Sequence, residues 1–240
     1  MFDENNKSPL VSVLYVDDEE DLLTIGKLFL ERTGHFRVDT QTSAKTALSS
    51  SSIETYDAIV SDYQMPVMDG IEFLKTVREQ YDDVPFILFT GRGREEVVIE
   101  AINNEADFYL QKGGEPKSQF AELSHKIRQA VRRKQAEKSV RESEKRVSDI
   151  IDFLPDATFA INQKGEVIAW NRALEEMTGI PAVSILGKTH DDYVTAFYFY
   201  DRPLLIDLID EPDETIEMHY PTFFRDGSSI SAETEMTRKN

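Results

Sequence analysis

The chain has 240 residues, of which 40% are hydrophobic and 30% charged, a globular balance long enough for two compact units. It contains no cysteine, which excludes disulfides, thiolate metal sites and a cysteine nucleophile and suits a reducing compartment. A formal net charge of -18 argues against nonspecific attachment to nucleic acid or anionic membrane, and no apolar run approaches the ~18 residues of a membrane span, so a soluble, cytoplasmic protein is expected.

Five short segments, at 11–16, 36–40, 58–61, 86–90 and 108–110, read as strands, and most of them are continuous apolar runs as expected when both faces of a sheet are covered. Amphipathic stretches at 21–32, 44–50, 71–80 and 95–103 separate them, and a further helix begins near Lys117. The alternation predicts an α/β unit, a five-stranded doubly wound parallel sheet of (βα)5 order. From 117 to 153 neither proline nor glycine interrupts the chain, so one linker helix is predicted. Phe120, Leu123, Ile127 and Ala130 form a stripe that can pack on the sheet, whereas 132–146 is dense in Lys, Arg and Glu. Val140, Val147 and Leu154 recur at seven-residue spacing, which points to a weak two-stranded coiled coil and a homodimer through the linker helix.

Beyond Pro155 the pattern changes to strands and turns: a hairpin over 158–170 around Gln163-Lys164-Gly165, then a helix at 172–178 closed by Gly179. Asn171 reads as the cap of that helix.

Two strand ends carry acids: Asp17, Asp18 and Glu19 after the first, Asp62 after the third. In an open parallel sheet these carboxyl-side ends share one edge, where such folds place their sites. Carboxylates converging there repel one another unless a hard cation such as Mg²⁺ neutralises them. Thr90 and Lys112, at the ends of the fourth and fifth strands, add a hydroxyl and an ammonium, and together the groups suit phosphoryl chemistry. Taken singly, the acids at 17–19 read equally well as a solvated helix cap.

The segments LYVDDE, SDYQMPVMDGIEFL, FILFTG and DFYLQKG resemble the receiver domain of two-component response regulators, a flavodoxin-like fold. The resemblance implies Asp62 as phosphoacceptor, with Mg held by Asp17, Asp18, Asp62 and the backbone carbonyl of Gln64. It implies Thr90 and Lys112 as the groups that bind phosphoryl oxygens, and Thr90 with Tyr109 as the switch pair. It also implies a sensor histidine kinase or phosphotransfer protein as donor and a downstream signalling protein as recipient. Gly113 stands where the family usually has proline, and Gln64 and Arg92 occupy positions that tune dephosphorylation.

The segment DFLPDATFAINQKGEVIAWNRALEEMTGIPAVSILGK resembles the start of a PAS sensory domain, an α+β fold with an antiparallel sheet that binds small molecules or proteins. The expected domains are a receiver over 8–130, a helical linker over 131–150 and a PAS domain over 151–240, its final strands either compressed into 217–237 or lacking. Its ligand is unspecified: the absence of cysteine excludes a cysteine-adduct flavin, and haem would need His190 or His219. Two further readings are an N-terminal part of a hybrid histidine kinase, prompted by His125 in Leu-Ser-His-Lys-Ile-Arg, and a DNA-binding regulator using Arg132, Arg133 and Lys134. No ATP-binding motif or helix-turn-helix pattern supports either, so no catalytic activity beyond the receiver's own phosphorylation and dephosphorylation is expected.

Overall fold

A computed structural model describes residues 10–50, 52–81, 84–91, 95–198 and 202–234. Arg92 and the outer ends of the expected domains, 8–9 and 235–240, lie outside the described residues. Two units divide the chain, residues 1–139 and 140–240.

In the first unit, strands β1 (Val11–Val16), β2 (Phe36–Gln41), β3 (Ala58–Ser61), β4 (Phe86–Thr90) and β5 (Phe108–Gln111) form one parallel sheet of order β2-β1-β3-β4-β5. Between successive strands run α1 (Glu20–Glu31), α2 (Ala44–Ser50), α3 (Gly70–Gln80) and α4 (Glu95–Asn103), with α5 (Pro116–Phe153) after β5. Successive strand residues point to opposite faces, so one strand supplies two cores. Val13, Tyr15, Ile87 and Phe89 pack with Leu23 and Leu30 of α1 and with Phe120, Leu123 and Ile127 of α5. Leu14, Val16, Phe86 and Leu88 pack on the other face with Ala47 of α2, Phe73 and Leu74 of α3 and Ala101 of α4.

Glycine sets two close approaches. A Cβ on Gly26 of α1 would stand 2.5 Å from the Tyr15 ring, so α1 lies tight on β1 only because that atom is missing. Gly70 begins α3, and a Cβ there would stand 2.3 Å from the Asp62 carbonyl oxygen. The start of α3 is fixed by a capping box: Asp69 accepts from the backbone N–H of Ile71 and Glu72, both at 2.9 Å, and Glu72 accepts from the N–H of Asp69 at 3.1 Å.

Helix α5 is a single 38-residue element that opens with Pro116 at its first position, where the missing N–H costs no helical bond. Its buried residues end at Val131; from 135 to 150 every side chain is exposed. Arg133 pairs with Asp107, which also accepts from the Phe86 N–H at 2.7 Å and pairs with Arg78 at 3.2 Å. One member of the basic run therefore holds α5 to the amino ends of β4 and β5.

In the second unit β6 (Phe159–Ile161) and β7 (Val167–Trp170) form the expected hairpin, and α6 (Arg172–Thr178) ends at Gly179 in a left-handed conformation. Short helices α7 (Ala182–Ile185), α8 (His190–Tyr193) and α9 (Asp213–His219) lead to a second hairpin, β8 (Phe223–Asp226) and β9 (Ser229–Ala232). The antiparallel pairing expected here thus occurs as two separate two-stranded sheets. Val167, Trp170, Leu174, Ile185 and Tyr193 form the core.

Asn171 fastens this unit. Its Oδ1 accepts from the N–H of Thr158 at 2.8 Å and of Leu174 at 3.0 Å, and its Nδ2 donates to the carbonyls of Ile151, Leu154 and Asp156. The predicted cap of α6 is also the tie between the last turn of α5 and the first hairpin. Among the described residues no helix is long and apolar enough to cross a membrane.

Candidate functional site

The carboxyl ends of β1, β3, β4 and β5 deliver Asp17, Asp62, Thr90 and Lys112 to one edge of the sheet. Asp17, Asp62 and Thr90 are buried, an unusual state for two carboxylates that demands a counter-charge. Lys112 supplies it: its Nζ lies 2.7 Å from Asp17 Oδ2 and 2.8 Å from Asp62 Oδ1. The second oxygen of each acid is held by backbone, Asp62 Oδ2 by the Gln64 N–H at 2.7 Å and Asp17 Oδ1 by the Glu19 N–H at 3.1 Å. Both acids are thus oriented before any ligand arrives.

Burial pushes the Asp17 carboxyl above its ordinary value, against the hydrogen bond and charge of Lys112, which pull it down. Burial also pulls the Lys112 ammonium down, but the hydrogen bonds and charges of Asp17 and Asp62 outweigh it and leave the ammonium above its ordinary value. The lysine remains a cation in the cluster.

Of the expected ligand residues, the structure brings Asp17 and Asp62 together around Lys112. Asp18 and Gln64 are exposed, and no group of three or more acids or histidines close enough to hold a metal forms among the described residues. Chemically the donors fit a hard cation: two buried carboxylates against one ammonium leave a net charge of about -1 and only oxygen donors. The helix-cap alternative for the acids at 17–19 is not realised, since Glu19 occupies the cap position of α1 without a side-chain cap bond.

Tyr109 is partly buried on the α4 face, and its hydroxyl is held above its ordinary value by burial and then by the charge of Asp62. It therefore lies within electrostatic reach of the acid. Gly113 does what proline could not: its N–H donates to Gln119 Oε1 of α5 at 3.0 Å, and its φ of 153° suits glycine.

Two contributors were not legible as such. Tyr15 alternates with core valines, yet its hydroxyl donates to Asp17 Oδ2 at 3.4 Å, and burial followed by the Asp17 charge pushes its acidity far down. Gly70 lies against the Asp62 backbone, and the Asp69-x-x-Glu72 capping pattern was the signal that could have placed it.

Residues 13–128 match the response regulator receiver domain, and residues 145–239 match the PAS fold. The chain carries a response regulator receiver domain followed by a PAS domain. Response regulator SaeR of Staphylococcus aureus (strain NCTC 8325 / PS 47) is 35% identical over 108 residues, which cover 45% of this chain and 46% of SaeR. The chain thus spans about half the length of the curated relatives it matches. Among solved structures, a receiver domain protein from Clostridium thermocellum is 28% identical over 53% of this chain and 98% of its own, with a TM-score of 0.48. The chemotaxis protein CheY4 of Vibrio cholerae is 30% identical over 49% of this chain and 98% of its own, with a TM-score of 0.45.

Proposed function

We propose that the chain is a phosphoacceptor of a two-component relay, modified on Asp62, and that its PAS domain is a sensor or docking module linked to the receiver through α5. The observation that carries this reading is the Asp17–Lys112–Asp62 cluster at one edge of a parallel sheet. In the transfer, an Asp62 carboxylate oxygen forms the new bond to phosphorus. The P–N bond of a phosphohistidine on the donor kinase or phosphotransfer protein breaks, and the imidazole leaves with the electron pair. Lys112 compensates charge on the phosphoryl oxygens, and Thr90 offers a hydroxyl donor to them. Asp17, Asp18, Asp62 and the Gln64 carbonyl would hold Mg, which supplies charge neutralisation to the phosphoryl group when bound. Rearrangement of Thr90 and Tyr109 would then shift the receiver between two states that partners distinguish.

Two observations support this assignment over its alternatives. Arg133 of the basic run is engaged by Asp107, which weakens a DNA-binding reading, and His125 is an exposed residue on the receiver's last helix. A cytoplasmic location suits a donor kinase and the lack of cysteine.

The test is incubation with phosphoramidate and Mg²⁺ followed by intact-protein mass spectrometry. One phosphoryl group should be gained by the wild type and none by Asp62→Asn; equal labelling of the variant would overturn the assignment.

A further inference from the structure

The core between the sheet and the α1 and α5 helices is built from valine, leucine, isoleucine, alanine and phenylalanine, with one exception. Among the described residues of that core, Tyr15 alone carries a polar side-chain atom, and it is fully buried. A phenol hydroxyl shut away from water needs a partner inside the protein. It donates to Asp17 Oδ2 at 3.4 Å, the oxygen that also receives Lys112 Nζ at 2.7 Å, while Asp17 Oδ1 accepts from the Glu19 N–H at 3.1 Å. The ammonium takes the shared oxygen at the shorter distance, and the hydroxyl is its second donor. Asp17 is as fully buried as Tyr15, so bulk water does not stand in for the hydroxyl.

The helix above makes room for the ring. Position 26, in the middle of α1, is glycine, the least helix-favouring residue after proline. A Cβ there would meet Tyr15 Cε1 at 2.5 Å and Phe120 Cε1 at 3.0 Å, so helix propensity is given up where two rings lie against α1, and the tyrosine is the closer. Phe89 of β4 adds a tilted ring contact at 6.5 Å between centroids. A ring packed in this way keeps one rotamer, and that rotamer sets its hydroxyl against Asp17.

We propose, on the reading of Asp17 as a ligand of Mg, that Tyr15 is a positioning residue for the cation site: its hydroxyl fixes the Asp17 carboxylate, and Gly26 makes the space that brings it there. When a phosphoryl group draws Lys112 toward itself, Asp17 loses its nearest donor. The Tyr15 hydroxyl and the Glu19 N–H are then the two that hold the carboxylate in place. Partners that orient a ligand carboxylate are worth about 10-fold or more in metal affinity. A phenylalanine at position 15 would fill the same space and supply none of this.

Tyr15→Phe keeps the ring and removes one oxygen, so it tests the hydroxyl alone. Mn²⁺ is the probe: the free ion is followed by electron paramagnetic resonance as the full chain is titrated, and the site is counted as the binding that Asp17→Asn removes. Tyr15→Phe should bind about 10-fold more weakly than wild type. Labelling of Asp62 by phosphoramidate should need correspondingly more Mg²⁺ for its half-maximal rate, while the rate at saturating Mg²⁺ stays within about twofold. The loss of Mn²⁺ affinity should persist when Lys112 is replaced by alanine, because the bond is made to Asp17; its disappearance there would overturn the proposal. A tyrosine that only packs would lower the urea midpoint and leave both metal dependences unchanged in Tyr15→Phe, which would overturn the proposal and spare the receiver reading. Wild type that binds no Mn²⁺ at the Asp17 site would overturn both.

Discussion

A methyl group at position 70 would stand 2.3 Å from the Asp62 carbonyl oxygen and 2.8 Å from a Leu88 methyl, inside any real contact distance. Backbone on one side and a packed core residue on the other leave no flexible group to yield. Gly70→Ala is therefore expected to destabilise the receiver by about 2–3 kcal/mol in urea unfolding and to slow labelling by displacing the acid. At Lys112 the expected effect is electrostatic. Lys112→Ala leaves Asp17 and Asp62 buried without their counter-ion, at a cost of roughly 3 kcal/mol in a chelator-containing buffer. Divalent cation should recover more stability in this variant than in the wild type, because it meets two uncompensated acids; equal recovery in both would count against a shared site. The sequence exposed Asp17, Asp62, Thr90 and Lys112 because each is a polar residue ending an apolar strand. Tyr15 stayed hidden because its ring is core and only its hydroxyl reaches Asp17.

At the scale of elements, Asn171 joins three of them with five hydrogen bonds from one buried amide. Asn171→Ala strands three carbonyls and two N–H groups, and a loss of about 3 kcal/mol from the PAS domain follows from a net value near 1 kcal/mol per bond with partial rehydration. Asn171→Asp keeps both acceptor bonds but sets a buried carboxylate oxygen against three carbonyls, so it should cost at least as much as Asn171→Ala. Trp170 is the only tryptophan, so its fluorescence reads this unit separately in a denaturant titration. The sequence showed Asn171 as a cap through local spacing, but its bonds to Ile151 and Leu154 depend on how α5 returns to the hairpin, which no local pattern encodes. Most of the receiver strands were legible because short continuous apolar runs are distinctive, while β2, Phe36-Arg37-Val38-Asp39-Thr40-Gln41, alternates as an edge strand does. The second hairpin lies inside the 217–237 window that is one of the two readings of the final strands, but its bounds were not legible, since Phe223 to Ala232 alternates exposed and half-buried residues with little apolar contrast.

For the molecule as a whole, alkaline pH bears on both units through buried tyrosines, Tyr15 in the receiver and Tyr193 and Tyr220 in the PAS domain. Tyr220 is pushed up to about 12 by burial and then by Tyr198, and burial with the Asp207 hydrogen bond likewise raises Tyr193. Between pH 10 and 12 the unfolded chain releases protons that the folded chain retains, so each tyrosine's contribution is complete below pH 10 and lost above it. Unfolding followed by Trp170 fluorescence should show the PAS domain weakening through this window, and Tyr193→Phe should flatten the slope. An unchanged slope in that variant would refute the assignment. The two-unit organisation was readable from the change of pattern after Pro155, but the division after Ser139 was not, because it falls inside one uninterrupted helix whose sequence gives no break.

The bond from Gly113 to Gln119 gives the lysine loop a character that a rigid imino-acid ring would deny it. A ring imposes one geometry permanently; a single N–H···O contact can open and reclose within thermal reach. The residue that carries the neutralising charge is fastened through its own N–H to the Thr90 carbonyl of β4 and the residue after it to the opening turns of α5, so the charge is moored to sheet and helix at once.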